Sequence, residues 1–240
     1  FLDKSNPVRE WENVYELSED VKKALDSLPI KYILVESKSC DLRILLGEKR
    51  RWLGCSGHII PSFEIFTSPD WRGTEGVYYA NLPTYRSGNY IENVRLEFKN
   101  GLVVGVKAAK GEKFVRQMIA SDKTADRVGE FSLTDKRFSR IDKFMAETLY
   151  DENFGGKNGN CHIAVGSAYT DAFTGNVAKL SKAAKFNLGF NDSSLHWDLV
   201  NTENKTVTAI LKNGKKRIIY RNGELKGLSI LVAFVHSPFL

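Results

Sequence analysis

The chain is poor in cysteine: Cys40, Cys55 and Cys161 are its three cysteines among 240 residues, and they stand at no recognisable spacing. No Cys-x-x-Cys pair occurs, so the sequence indicates neither a zinc ribbon nor a disulfide framework. Free thiols suit a reducing compartment. We therefore expect a cytoplasmic protein.

The sequence also lacks a hydrophobic run long enough to cross a membrane. An apolar stretch at 228–235 is far shorter than the roughly 20 residues that span a bilayer. We read it as a buried terminal strand and expect no membrane partner. Internal repeats and low-complexity linkers are absent from the sequence as well, which excludes solenoid and linker-rich classes.

Basic residues exceed acidic ones, with a formal net charge of +6. Basic clusters occur at 49–51 and 212–217. The second cluster contains Asn213-Gly214 between two expected strands, so a solvated hairpin turn explains it more simply than a binding surface. No nucleic-acid-binding motif is present, and we expect no nucleic-acid partner.

Hydrophobic spacing predicts an α+β fold with a mixed or antiparallel sheet and flanking helices. From the residues discussed below we also expect a metal site at strand ends and loops. Helical spacing covers 10–27, 111–121 and 136–149. Strand patterns cover 31–36, 41–46, 77–80, 91–98 and 103–106. The Asn-Gly pairs at 100–101 and 213–214 predict hairpins, the second within 205–221.

Histidine is scarce, and its placement is the best lead to function. Two of the four histidines, His162 and His196, lie in segments with acidic neighbours. Neutral imidazole and carboxylate together form the ligand set of hydrolytic zinc, cobalt or manganese centres. A lone histidine is nevertheless more often structural than a ligand, so His162 by itself is a weak signal.

The triplet His196-Trp197-Asp198 is a second candidate element. On a strand, alternate side chains share a face, so His196 and Asp198 would point together while Trp197 points away. Alone, this triplet is more simply a surface coincidence. Cys161 beside His162 would likewise face the opposite side of a strand, which argues against a thiol nucleophile.

Five motifs stand in a specific order: PSFEIFTSPD, RVGEFSL, ETLYDEN, HIAVGSAY and NDSSLHWD. In this order they resemble the aminopeptidase T family of metallopeptidases. The similarity runs from about residue 6 to about residue 226. Any one motif would be weak, but five in order are highly specific.

The resemblance implies a site, residue by residue. The family's metal-binding positions fall on Glu64, Glu130, Glu152, His162, His196 and Asp198. Glu130 matches the glutamate between the two ions, and Glu152 could be a ligand, a proton shuttle or an outer residue. The family tyrosine matches Tyr169, which joins Glu130 and Glu152 as an expected catalytic residue.

The resemblance also implies an activity: hydrolysis of the N-terminal residue of peptides through a water activated by two divalent ions (zinc, cobalt, manganese or magnesium). Peptides with a free N-terminus are the expected substrates, and a homodimer is expected. The alternative is a non-catalytic relative that keeps the fold and the ligands but binds peptides or partners.

The same resemblance sets the expected domain organisation. Residues 1–240 are expected to form the catalytic domain, without the additional N-terminal domain that family members carry. The glycine-rich segment 155–160 is longer than the family's usual link. Because it lacks a Gly-Lys-Ser/Thr ending, we read it as a flexible loop and not a phosphate-binding loop.

Overall fold

The computed structural model describes residues 5–55 and 62–227. Within them the helices are α1 (Pro7–Asp26), α2 (Glu112–Ile119), α3 (Thr148–Asp151) and α4 (Lys182–Asn187). The strands are β1 (Ile30–Ser37), β2 (Asp41–Leu45), β3 (Glu64–Thr67), β4 (Asp70–Ala80), β5 (Thr84–Arg86), β6 (Asn89–Ile91), β7 (Val94–Lys99), β8 (Leu102–Lys107), β9 (Val128–Thr134), β10 (Asn160–Gly166), β11 (His196–Asn201), β12 (Lys205–Leu211), β13 (Lys216–Arg221) and β14 (Glu224–Leu225).

Helix α1 begins where the sequence supplies a cap. The Asn6 side chain accepts a hydrogen bond from the Arg9 amide at 3.0 Å, and Pro7 follows as the first helical residue. An amide acceptor before a proline suits a helix start, because it satisfies a free N–H while proline lacks one. Leu17, Val21 and Leu25 form its buried stripe, as the predicted helix 10–27 required.

The large sheet has eight strands in the order β14-β13-β12-β1-β2-β4-β7-β8, and all neighbours are antiparallel. Both predicted Asn-Gly hairpins are confirmed, joining β7 to β8 and β12 to β13. Asn100 and Gly101 both have positive φ, 51° and 80°, the backbone that Asn-Gly turns adopt most readily. The predicted antiparallel α+β fold is confirmed.

The small sheet has four antiparallel strands in the order β11-β10-β9-β3. Its two faces differ in chemistry. One face is apolar and belongs to the main hydrophobic core: Ile65, Phe131, Leu133, Ile163, Val165, Trp197 and Leu199. The other, here called the site face, carries Glu64, Glu130, His162, Ala164, His196 and Asp198, because alternate residues of each strand point there.

The apolar face of the small sheet is joined to the large sheet by a buried tyrosine. The Tyr78 hydroxyl, from β4, lies 2.8 Å from the Leu199 carbonyl and 3.1 Å from the Cys161 carbonyl of the small sheet. Trp197 packs edge-on against Phe114, 6.2 Å between ring centroids. The expectation that the side chains of Trp197 and Cys161 point to the opposite face of the sheet from the site face is thus confirmed.

The predicted helix 136–149 is wrong for most of its length, since only Thr148–Asp151 is α-helical there. Side chains take over the hydrogen bonds that a helix would use. The Asp135 carboxylate accepts from the amides of Arg137 and Leu225. The Ser139 hydroxyl donates to the Asn153 carbonyl and accepts from the Ile141 amide. Such short polar side chains compete with helical backbone bonding.

Two other sequence expectations need comment. The predicted strand 91–98 is interrupted, because Asn93 has φ of 58° and separates β6 from β7. The expected strand at 228–235 lies outside the described residues. No helix of the described part of the chain is long and apolar enough to span a bilayer.

Candidate metal centre

The site face gathers five of the predicted ligands through strand register. Ala164 of β10 pairs directly with Glu130 of β9 and with Asp198 of β11. Directly paired residues of antiparallel strands share a face, so the two carboxylates flank a single methyl group. The small side chain of Ala164 on the central strand therefore leaves room between the two carboxylates.

His162 stands at the centre of the cluster. Its Nε2 lies 3.1 Å from Glu130 Oε1 and 3.2 Å from Glu64 Oε2. One ligand atom from each of these three buried residues lies within 4.8 Å of the other two. The other ring nitrogen of His162, Nδ1, is buried without a hydrogen-bond partner among the described residues. The imidazole thus faces Glu130 and Glu64 through one nitrogen, with Asp198 Oδ1 farther away at 3.8 Å.

His196 and Asp198 form the other side of the cluster. His196 Nε2 lies 3.4 Å from Asp198 Oδ1 and 3.8 Å from Glu130 Oε2. Its Nδ1 lies 2.9 Å from the Ser167 carbonyl oxygen. A carbonyl can only accept, so Nδ1 carries the proton and Nε2 is left for a ligand. Glu130 is therefore within reach of both histidines.

Glu152 and Tyr169 belong to segments outside the strands of the small sheet. Glu152 follows α3 directly and is buried, 5% exposed. Tyr169 lies beyond the end of β10, and its ring meets the His196 ring edge-on at 4.9 Å between centroids. Its amide donates to the Ser68 hydroxyl at 2.8 Å. All seven residues predicted for the site therefore lie in or beside one cluster.

Crowding of acidic groups controls the protonation of the cluster. Burial first, and then the charges of Glu64 and Asp198, raise the pKa of Glu152 to about 10. Burial also raises the pKa of Glu130 to about 7, against the hydrogen bond from His162. Burial, with neighbouring negative charge, thus favours the protonated forms of Glu130 and Glu152.

The pKa values of the two histidines are also raised, but for a different reason, because neighbouring carboxylates stabilise the charged imidazolium. Burial alone would lower the pKa of His196, but hydrogen bonding to Asp198 and the charge of that carboxylate raise it to about 9. The pKa of His162 is likewise raised, because bonds to Glu130 and Glu64 outweigh burial. In return, hydrogen bonding to His196 lowers the pKa of Asp198 despite its burial.

These residues fit divalent metal ions. Four carboxylates and two imidazoles converge in a buried space, and burial favours the protonated forms of two of the carboxyl groups there. Carboxylate oxygen and imidazole nitrogen are the ligands that zinc and its neighbours accept. Metal ions would take the place of those protons, since ligands bind in their deprotonated forms.

Two polar residues that support the cluster were missed at the sequence level. The Ser132 hydroxyl donates to Glu64 Oε2 at 2.9 Å, and Ser132 is fully buried. Asn153 accepts from the Phe63 amide at 2.6 Å and so holds the start of β3 against the α3 segment. Ser132 could have been found by period-two alternation with Glu130, whereas the partner of Asn153 gives no sequence signal.

The cluster and the antiparallel fold together indicate a metal-binding protein, and comparison with known proteins gives its family. The family profile described as thermophilic metalloprotease (M29) matches residues 1–225. That match covers nearly the whole chain. The chain belongs to this metalloprotease family, as the five motifs had indicated.

Curated relatives carry aminopeptidase names. Aminopeptidase AmpS of Bacillus subtilis is 30% identical over 92% of this chain and 56% of its own length. Aminopeptidase T of Thermus thermophilus is 27% identical over 92% of this chain and 55% of its own length. The chain therefore spans about half the length of the curated relatives it matches.

Two solved structures have a similar fold. Wild-type AmpT of Thermus thermophilus superposes with a TM-score of 0.76 at 26% identity, covering 92% of this chain and 56% of that one. A 2,5-dihydroxypyridine dioxygenase of Pseudomonas putida superposes with a TM-score of 0.57 at 15% identity, covering 95% of this chain and 65% of that one. The second likeness concerns the fold alone.

Proposed function

We propose that this chain carries the catalytic centre of a metallo-aminopeptidase that removes the N-terminal residue from peptides. The observation that carries the proposal is the position of Glu130, whose two carboxylate oxygens face His162 and His196 at 3.1 and 3.8 Å. That arrangement suits two ions with Glu130 between them. Family membership and the aminopeptidase names of the relatives support it.

The ligands would be divided between two divalent ions. Glu64, Glu130 and His162 form one group, and Glu130, His196 and Asp198 the other. When bound, a pair of divalent ions lowers the pKa of a water molecule and polarises the carbonyl to be cleaved. We propose zinc, cobalt, manganese or magnesium as the ions.

Glu152 is the proposed proton carrier. Its carboxyl group is buried beside four other ligand side chains, and its raised pKa favours the protonated form. In the metal-loaded site, where bound ions would displace protons from the carboxyl groups, the ionised form of Glu152 would take a proton from the attacking water at an Oε atom and then deliver it to the leaving amine nitrogen. Glu152 as a direct ligand is the competing role.

Tyr169 is the proposed hydrogen-bond donor to the oxyanion. Burial and the surrounding carboxylates, Glu130 first, raise the pKa of its phenol, which therefore stays protonated at neutral pH. A positioned donor to a developing oxyanion contributes a few kcal/mol, roughly 3, to the transition state. The ring is 40% exposed, so a substrate can reach it.

The proposed substrates are peptides with a free N-terminus, as the aminopeptidase names of the relatives suggest. The proposal extends to residues 1–240 as the catalytic domain, to a homodimer and to a cytoplasmic location. These points rest on the family resemblance and the cysteine usage.

The testing experiment combines bound metal by elemental analysis with hydrolysis of a leucine anilide before and after addition of cobalt or zinc. About two ions per chain and metal-restored cleavage are expected, with both reduced in Glu130→Gln and unchanged in Glu97→Gln, an exposed residue on β7. Two ions without cleavage would favour the non-catalytic relative instead. Absence of bound metal would overturn both readings.

A further inference from the structure

Segment 81–86 runs along the outer edge of the small sheet. Strand β11 is an end strand in the order β11-β10-β9-β3. Just after the C-terminal end of β11, Asn81 Oδ1 accepts a hydrogen bond from the Thr202 amide at 2.7 Å. The Leu82 amide donates to the Val200 carbonyl at 3.2 Å. The segment thus follows β11 backward, toward the predicted metal ligands at its start.

Arg86 makes the last of these contacts, at the start of β11. Its Nη1 donates to the His196 carbonyl oxygen at 3.0 Å, and its Cζ lies 5.6 Å from the centroid of the Trp197 ring. Burial lowers the pKa of Arg86, and the charge of Asp198 acts against burial. The guanidinium is charged at neutral pH, because arginine is not deprotonated in proteins. Arg86 therefore bonds the backbone of one predicted ligand residue and is close enough to interact with the charge of another.

A tight turn holds Arg86 in this place. Ser87 and Gly88 connect β5 to β6, and both have positive φ, 47° and 75°, as the two central residues of a type I′ turn require. Asn89 pairs with Arg86 across the turn, and its Nδ2 donates to the Ser87 carbonyl at 3.0 Å. Turn type fixes the register of a hairpin. The backbone of Arg86 is thus set by the turn, and its side chain reaches from there to β11.

An aromatic contact holds the hairpin independently of Arg86. Tyr85 stacks on Phe144 with 6.3 Å between ring centroids. The amide of the following residue, Met145, donates to Asp151 Oδ1 at 2.8 Å. The hairpin therefore keeps its contact with the 144–151 segment when Arg86 is replaced.

We propose that Arg86 is a positioning residue for the half of the metal centre formed by His196 and Asp198. This inference rests on the proposed function, which assigns these two ligands to one ion. A donor on the His196 carbonyl holds the start of an edge strand, and the imidazole is attached to that backbone. Residues that orient metal ligands typically contribute about 10–100-fold to metal affinity. Glu64 lies on β3, at the opposite edge of the sheet, so the ion proposed there should not depend on Arg86.

The test measures the affinity for zinc by competition with a chelator, and His196→Ala identifies which ion is concerned. In Arg86→Met the affinity for that ion should fall about 10–100-fold, while the affinity for the other ion keeps the wild-type value. Arg86→Lys, which keeps a charged donor, should lose less. Loss of a nearby cation would by itself raise the affinity for a metal ion, so tighter binding by Arg86→Met would overturn the proposal.

Arg95→Met, which removes an equal charge from an exposed position on β7, is the matched control and should keep both affinities. An equal loss for both ions in Arg86→Met would overturn the proposal, because general loosening of the fold would then explain it. So would an unchanged affinity for the ion that His196→Ala identifies.

Turnover of leucine anilide separates this inference from the proposed function. At saturating zinc the KM of Arg86→Met should equal the wild-type value, and a raised KM would overturn the proposal by assigning Arg86 to substrate binding. If leucine anilide is not cleaved with any added ion, the proposed function fails, and Arg86 is judged by the zinc affinities alone. A wild-type chain that binds no zinc, or that binds it no better than His196→Ala does, would overturn the inference.

Discussion

Ala164, at the centre of β10, pairs directly with Asp198 of β11, so a methyl group lies beside a carboxylate on the site face. A larger side chain here would occupy the space between Glu130 and Asp198. We expect Ala164→Val to lose most bound metal while the chain stays folded.

Ala209→Val is the matched control, because Ala209 is also a fully buried strand alanine but faces the main core. Both variants overpack a buried position, which costs about 1–3 kcal/mol of unfolding free energy. Elemental analysis and denaturant unfolding separate the two effects. Full metal content in Ala164→Val would contradict the proposed position of the ions.

Ser132→Ala should weaken metal binding without unfolding the chain. Its hydroxyl holds Glu64 Oε2 at 2.9 Å, and loss of a partner that orients a ligand reduces metal affinity by about 10–100-fold. Affinity can be measured by competition with a chelator. Ser121→Ala, at an exposed position, should leave affinity unchanged; equal affinity in both variants would show that Glu64 needs no such support.

Glu152→Gln distinguishes a proton carrier from a ligand. If Glu152 moves the proton, the variant should keep about two ions while kcat falls by about 10²–10⁴-fold. Metal content and turnover measured on the same preparation decide between the roles. Loss of an ion together with activity would assign Glu152 to the ligands, and unchanged turnover would remove it from the mechanism.

Lys205→Met should stabilise the fold. Lys205 is 3% exposed, and its Nζ has no hydrogen-bond partner among the described residues. A buried polar group without a partner costs about 1–3 kcal/mol, and methionine would remove that cost. Lys215→Met, at an exposed position, should have little effect; a destabilised Lys205→Met chain would mean that the ammonium group is satisfied.

The stability of the wild-type chain should also depend on pH through Lys205. Burial lowers its pKa, although Cys161, Cys40 and Glu203 act against burial. Between the lowered value and the ordinary 10.5, the unfolded chain binds more protons at this residue than the folded chain. Stability from this group therefore rises with pH in that window, and thermal unfolding of Lys205→Met should lack the rise.

Sequence reasoning succeeded where the signal lies within one segment. The common orientation of His196 and Asp198 follows from strand alternation alone. The complete ligand set came from motif order, since no periodicity connects Glu64 with His162 across 98 positions. The Ser167 carbonyl, which fixes the His196 tautomer, leaves no trace in side-chain patterns.

The helix predicted at 136–149 does not form over most of its length, because its polar side chains bond to residues that are distant in the sequence. Asp135 is bonded to the Leu225 amide and Ser139 to the Asn153 carbonyl, and neither partner can be read from local spacing. These tertiary hydrogen bonds stabilise an irregular backbone, although the apolar residues repeat with a period near 3.6 that predicts a helix. The apolar residues of this stretch serve other contacts, as Phe144 does by stacking on Tyr85 at 6.3 Å.

The two-faced small sheet has a consequence for errors in folding. If β10 slipped by one residue against its neighbours, His162 would enter the apolar layer while Cys161 and Ile163 would turn toward the carboxylates. A single register slip would thus place a polar imidazole in the apolar core and apolar side chains beside the carboxylates. The chain with the shifted register would be much less stable than the native chain. A stably folded molecule therefore already has the strand register that places the predicted ligands on the site face.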